Sequence, residues 1–268
     1  MTASNPHRRD TPLHKTNPVE APTVRFGARA EAYARARPDY PPAAIGAVLE
    51  GLGEPAALTV ADIGAGTGIS SNMLADRGCR VLAVEPNPRM QAHATHHDNV
   101  EWVTASGEKT GLEAASVDVV TCAQSFHWLY APGALREFRR ILRPGGRLAL
   151  IWNVPDERDG FSAGYMRIMR EFAREAPRSL WAMPETAASL KRSRTFRGLR
   201  VLRFDHAQSL TWDALIERAR SASYTPREGV PLEQMHAALR VLFDTHAQGG
   251  AASLRYVTEA HIADLRTG

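Results

Sequence analysis

The stretch Ala61-Asp62-Ile63-Gly64-Ala65-Gly66-Thr67-Gly68 decides the fold. Before it, Leu58-Thr59-Val60-Ala61 reads as a short buried strand. After it, Ile69–Arg77 places Ile69, Met73 and Leu74 at helical spacing. A strand therefore runs into a glycine turn and straight into a helix. Glycines on alternate positions allow a tight turn and let a ligand approach the main chain. Such a turn marks a nucleotide-type site on a doubly wound α/β sheet.

The turn departs from the dinucleotide pattern G-x-G-x-x-G, because Ile69 stands where its last glycine would fall. Asp62, just ahead of the turn, would repel a diphosphate and attract an ammonium group. The phosphate loop G-x-x-x-x-G-K-[ST] is absent. A second acid sharpens the choice. Cys79–Glu85 reads as the next strand and ends in Glu85, placed to accept both hydroxyls of a ribose. Pro86-Asn87-Pro88 stops that strand and opens a helix with Met90 early in it.

Outward from these two strands the chain alternates strand and helix, which predicts a mostly parallel sheet covered on both faces. Strands are expected at 58–63, 79–85, 100–104, 117–123 and 147–153, with helices at 68–77, 88–95 and 132–142. Arg143-Pro144-Gly145-Gly146 reads as a turn. Further helices are expected over Ala28–Arg35, after Pro41-Pro42, and over Gly160–Glu175, Trp212–Ala222 and Leu232–Phe243. Leu199–Phe204 and Arg255–Ala260 complete a set of seven strands. The domain reading is a disordered arm at 1–22, a cap and cofactor-binding core at 23–153, a helical lid at 154–198, and the rest of the core with pocket helices at 199–268.

The segments Ala61–Gly68 and Val84–Met90 resemble the first two motifs of the class I S-adenosylmethionine-dependent methyltransferases. Arg25–Pro42 (RFGARAEAYARARPDYPP) and Ala123–Leu129 (AQSFHWL) resemble a small-molecule branch, which includes trans-aconitate methyltransferase and enzymes of natural-product pathways. The resemblance implies a Rossmann-like, seven-stranded α/β sheet with its last strand antiparallel, and S-adenosylmethionine as cofactor. It implies that Asp62, Gly64, Ala65 and Gly66 surround the methionine portion and that Glu85 holds the ribose. Asn87, Met90, Ser106 and Gly107 would lie at the adenine. Tyr33 and Arg37 would fold over the cofactor from the N-terminal segment.

Gln124 ends the fourth strand, where ligands bind in such sheets, and its amide suits cofactor or substrate. His127 is the candidate base or positioning group for a hydroxyl, amine or carbon nucleophile; a packed histidine bonded to backbone is the competing reading. Phe126, Trp128 and Tyr224 are candidates for the substrate pocket, against plain packing of helix on sheet.

Composition bounds the rest. The 268 residues suffice for one large α/β domain, and 44% hydrophobic content allows a full core. No run approaches a membrane span, and no apolar stretch of signal-peptide type follows the N-terminus. Cys79 and Cys122 fall in strands and read as core thiols of a cytoplasmic protein. His93, His96 and His97 sit on one predicted helix, with 93 and 97 at i, i+4 spacing, yet no further ligand pattern accompanies them, so no metal is expected. The net charge of +4 is mild. The run Lys191-Arg192-Ser193-Arg194, continued by Arg197, Arg200 and Arg203, lacks interleaved aromatics, which disfavours nucleic acid. The expected activity is methyl transfer to a small molecule. An RNA or protein methyltransferase docking through 191–203 and a non-catalytic cofactor-binding protein are the alternatives.

Overall fold

The computed structural model describes residues 36–173, 190–222 and 224–266. Seven strands form one sheet in the order β3-β2-β1-β4-β5-β7-β6. They are β1 (Thr59–Ile63), β2 (Arg80–Val84), β3 (Val100–Val103), β4 (Val117–Ala123), β5 (Leu142–Pro155), β6 (Phe196–Thr211) and β7 (Ala251–Leu265). β1 to β5 are mutually parallel, and β7 runs antiparallel to both β5 and β6. The order reverses between β1 and β4, so the C-terminal ends of those strands flank a crevice.

Among the described residues the α-helices are α1 (Pro42–Leu49), α2 (Ile69–Ala75), α3 (Pro88–Gln91), α4 (Ala131–Ile141), α5 (Gly160–Glu171), α6 (Trp212–Arg220) and α7 (Val230–His246). Proline opens α1, α3, α4 and α7, where its missing N–H costs nothing. Side-chain caps start three: Asn87 accepts from Arg89 N at 3.1 Å, Asp159 from Ser162 N at 2.9 Å and Thr211 from Ala214 N at 3.3 Å.

Buried apolar side chains fall into three clusters. Ile63, Phe126, Phe138, Ile141 and Trp152 lie on one sheet face, and Ile45, Val48, Val60, Leu74 and Ile151 on the other. The central strands are buried on both faces, which is why they read as near-continuous apolar runs. A third cluster, with Phe161, Tyr165, Leu215, Leu239 and Tyr256, joins α5, α6 and α7 to the far ends of β6 and β7. The register pairs Tyr256 with Pro155, at the C-terminal end of β5. This helical cap therefore stands beyond the ligand-binding edge of the sheet. Arg147, itself buried, ties α1 to the sheet by pairing with Asp264 at 2.8 Å and donating to the carbonyls of Val48 and Glu50 at 3.0 and 2.7 Å.

Several expectations are corrected. Arg143–Gly146 is not a turn ahead of the fifth strand. Leu142 already pairs with Val117 and Arg147 with Val119, so the residues between bulge out opposite Asp118, with Gly145 at φ 77°. β6 and β7 are much longer than their apolar centres, because the two arms of the hairpin continue past the sheet into the cap. α3 is a single turn ending at Gln91, so His93 and His97 share no helix face; His97 instead pairs with Asp76 at 3.4 Å. The expected arm, the helix over Ala28–Arg35 with its Tyr33, and the middle of the expected lid lie outside the described residues.

Candidate functional site

The glycine turn is built by backbone geometry that only glycine adopts freely. Gly64, Gly66 and Gly68 have φ of 68°, 62° and 83°. At Gly64 a Cβ would also fall 2.6 Å from the Ser125 Cβ, so the turn after β1 and the turn after β4 are pressed together there. The Ser125 hydroxyl donates to the Ile63 carbonyl across the same contact. Gly64 N and Ala65 N both donate to the Val84 carbonyl, at 2.8 and 3.2 Å, which locks the turn to the tip of β2.

Glu85 sits at that tip, with only 8% of its surface exposed. Its Oε2 accepts from Gly66 N and its Oε1 from Asn87 N, both at 2.9 Å. Burial raises its pKa, and the two backbone donors work against that rise. A carboxylate has about four acceptor sites. One remains on each oxygen, which matches the two hydroxyls of a ribose. The Thr67 hydroxyl, one residue past Gly66, is buried without a hydrogen-bond partner among the described residues. Gln91 closes the neighbouring corner, donating from Nε2 to the Glu85 carbonyl at 2.7 Å and contacting Thr104 Oγ1 at 3.1 Å. A fixed, partly satisfied carboxylate above a glycine turn fits an adenosine-bearing cofactor.

Asp62 does not face that crevice. It is fully enclosed, and three hydroxyls donate to it: Ser70 at 2.6 Å, Ser71 at 2.7 Å and Thr121 at 2.8 Å. Burial raises its pKa, against the lowering by these donors. Its work is to bind the first turn of α2 to β1 and β4. Its partners among the described residues are therefore hydroxyls of α2 and β4.

Beyond β4, Gln124 adopts φ 56°, an uncommon conformation for a residue with a Cβ. Its backbone N donates to the Ile151 carbonyl at 2.9 Å and its Nε2 to the Asn153 carbonyl at 3.1 Å, so the amide is engaged at the tip of β5. Asn153 is a junction: its Nδ2 donates to the Asp39 carbonyl at 2.9 Å and its Oδ1 accepts from Thr258 at 2.6 Å. Together with Gln208 Nε2 donating to the Ala36 carbonyl at 3.0 Å, this holds the segment carrying Arg37 over the sheet's edge.

His127 faces the same region. Its Nδ1 accepts from the Trp152 indole N–H at 3.3 Å. An indole nitrogen only donates, so Nδ1 carries the lone pair and the neutral ring has its proton on Nε2. Burial, with the nearby Arg37 charge adding to it, lowers the His127 pKa to about 4. In this arrangement the ring is a neutral hydrogen-bond donor. Its single lone pair is occupied, so it is not set up as a base.

Of the other candidates, Phe126 is completely buried, 6.3 Å between ring centres from Phe138, and belongs to the core rather than a substrate pocket. Trp128 is half-buried with its ring 5.0 Å from that of His127. Met90 is buried on α3, and Asn87 caps the same helix. Gly107 is glycine for packing, since a Cβ would lie 2.7 Å from Ile63 Cγ2; Ser106 beside it is exposed. Tyr224 packs on the cap cluster. Residues the sequence did not single out are Gln91, Asn153, Tyr165, Arg218 and Tyr256. Asn153 carried a signal, as a polar residue tipping an otherwise apolar strand.

Comparison with known proteins agrees with this geometry. A family model described as a methyltransferase domain matches residues 61–150. The chain is 35% identical over 243 residues to an uncharacterized methyltransferase of Mycobacterium bovis, covering 88% of this chain and 93% of that one. It is 31% identical to an uncharacterized methyltransferase of Schizosaccharomyces pombe, over 80% and 84% of the two chains. Among solved structures, a candidate type II methyltransferase from Anaeromyxobacter dehalogenans is similar at a TM-score of 0.62 and 26% identity, covering 86% of this chain and 97% of that one. A candidate methyltransferase from an antibiotic biosynthesis pathway of Anabaena variabilis is similar at 0.55 and 25%, over 85% and 98% of the chains.

Proposed function

The chain belongs to the S-adenosylmethionine-dependent methyltransferases, and on that premise we propose that it methylates a small molecule, in the setting of natural-product chemistry. The cofactor supplies an electrophilic methyl group on a cationic sulfur. The chain's own part is to hold the acceptor in line with that methyl and to keep water out, and positioning of this kind accounts for much of the rate enhancement in such reactions. The observation that carries the reading is the Glu85 carboxylate, fixed by Gly66 N and Asn87 N with one acceptor site left on each oxygen.

In this reading Glu85 takes the ribose, the backbone from Gly64 to Gly66 borders the methionine portion, and Met90 lies at the adenine with Asn87, Ser106 and Gly107 nearby. Tyr33 and Arg37 close over the cofactor from the N-terminal side, and Gln124 orients the edge of the pocket. His127 positions the acceptor by donating from Nε2, and Trp128 lines its approach. The helical cap, with α5 as part of a lid over 154–198, encloses the acceptor. The enclosure favours a compact acceptor over RNA or protein. The basic residues Arg197, Arg200 and Arg203 sit instead on the outer strand β6, where Arg203 is paired with Glu259 at 2.8 Å.

Calorimetry with S-adenosylmethionine tests the cofactor site: binding is expected for the parent and loss of it for Gly66→Trp. Equal behaviour of the two would reject this placement of the cofactor. Transfer of labelled methyl to the small-molecule fraction of a cell extract, and not to its RNA or protein, is expected; label in a macromolecule overturns the acceptor class.

A further inference from the structure

Among the described residues Arg218 is a buried cation without a counter-ion. It lies on α6 with only 9% of its surface exposed, inside the cap cluster beside Leu215 and Ala219. Its Nε has no hydrogen-bond partner, and among the described residues no carboxylate pairs with it. Its neighbours are phenols: Tyr256, Tyr165 and Tyr224 are all close enough to act on its charge. Burial works against that charge and the tyrosine oxygens support it, so the guanidinium stays held above its usual range. The Tyr165 hydroxyl, 2% exposed, has no partner either. Two polar groups without partners among the described residues thus share one buried place. A buried charge is normally retained only when something neutralises it.

The position of this cluster points to what that is. Tyr256 and Thr258 are two apart on β7 and so project to the same face of the sheet. Thr258 bonds Asn153, whose carbonyl holds Gln124 at the tip of β4. The Arg37 charge acts on both His127 and Tyr165. The cluster therefore borders the methyl-transfer region from the cap side. A guanidinium fork pairs two oxygens of a planar carboxylate, or of a phosphate, and a phenol can add a third donor.

We propose that Arg218, with the Tyr165 hydroxyl, is a subsite for an anionic group on the methyl acceptor, so that the substrate is a small carboxylate or phosphate ester. This rests on the reading of the protein as a small-molecule methyltransferase and adds the acceptor's charge to it.

The test uses the full chain loaded with the demethylated cofactor. Its Tm is followed as chloride is exchanged, at equal ionic strength, for acetate, succinate or inorganic phosphate. A saturable rise in Tm with at least one of the three is expected. A rise with acetate or succinate alone identifies a carboxylate; a rise with phosphate alone identifies a phosphate. Arg218→Gln should abolish the rise and Tyr165→Phe should shift its midpoint to at least about threefold higher anion, a factor in keeping with one hydrogen bond. Both should keep the cofactor affinity of the parent. Equal Tm in chloride and in all three anions overturns the proposal, as does an undiminished rise in both variants. If Arg218→Gln does not fold, Tyr165→Phe decides alone. Failure of the parent to bind cofactor counts against the methyltransferase site; normal cofactor binding with no anion response counts only against Arg218.

Discussion

At the scale of single residues, the side chains with the plainest chemistry were the easiest to misplace. Asp62 precedes the glycine turn and looks available to a ligand. Its position on β1 fixes its identity, but only the fold reveals that Ser70, Ser71 and Thr121 surround it. Glu85 was legible because a strand tip in a parallel sheet leaves an acid little else to face. His127 stands out in the sequence as a candidate but its proton does not, since the partner that sets its tautomer, Trp152, is 25 residues away in sequence. That partner yields a pH prediction. His127 titrates near 6.5 when unfolded and near 4 when folded. The unfolded chain therefore binds the proton first, and stability falls as pH drops from 6.5 towards 4, by about 2–3 kcal/mol from this group. Glu137, lowered to about 2 chiefly by the Arg140 hydrogen bond, adds a second loss between about 4.5 and 2. Urea unfolding across this range should show both limbs in the parent and only the lower one in His127→Asn. Parallel curves for the two proteins would refute the assignment.

At the scale of elements, period and punctuation predicted nearly every strand and helix, and what they missed has a common cause. β6 is largely open to solvent and the ends of β7 alternate buried and open positions, so neither carries a continuous apolar run and only their centres stand out. The bulge at Arg143–Gly146 has the composition of a turn; its membership in β5 depends on Val117 and Val119 across the ladder. On α6 the spacing Leu215, Arg218, Ala219 places a charge at an apolar position, a sign of the buried cation in the sequence itself. The glycine turn itself was read correctly, and it permits a graded test. Gly64→Ala meets both a φ of 68° and the Ser125 Cβ at 2.6 Å. Gly111→Ala meets a φ of 75° with nothing within 4 Å. The first should cost about 2–5 kcal/mol, from backbone strain of about 1–2 plus overpacking of about 1–3. The second should cost only the strain. Cofactor affinity should fall in the first and stay unchanged in the second. Equal losses of stability in urea melts would mean that the Ser125 contact is not what demands glycine.

At the scale of the whole molecule, the function depends on how three separately packed clusters are joined. Two clusters cover the sheet, and the third forms the cap. No helix among the described residues is long and apolar enough to cross a membrane. The joints are polar and concentrated at Asn153, which contacts Asp39, Thr258 and Gln124 and so meets the N-terminal segment, β7 and the end of β4 at once. Contacts so distant in sequence leave no local pattern, which is why the site's frame was less legible than its glycine turn. Asn153→Ala removes the side-chain bonds to Asp39 and Thr258 while leaving the backbone carbonyl that holds Gln124. The lost bond to the buried Thr258 costs about 1–3 kcal/mol, and that to the exposed Asp39 less. The loss should be local, because β1 to β4 keep their ladder. Hydrogen exchange should therefore quicken over residues 36–40 and around Thr258, with β1 to β4 unchanged. Cofactor affinity should weaken severalfold, since Arg37 sits in the loosened segment. Uniformly faster exchange across the sheet would instead make Asn153 a core stabiliser, and an unchanged pattern would remove it from the joint altogether.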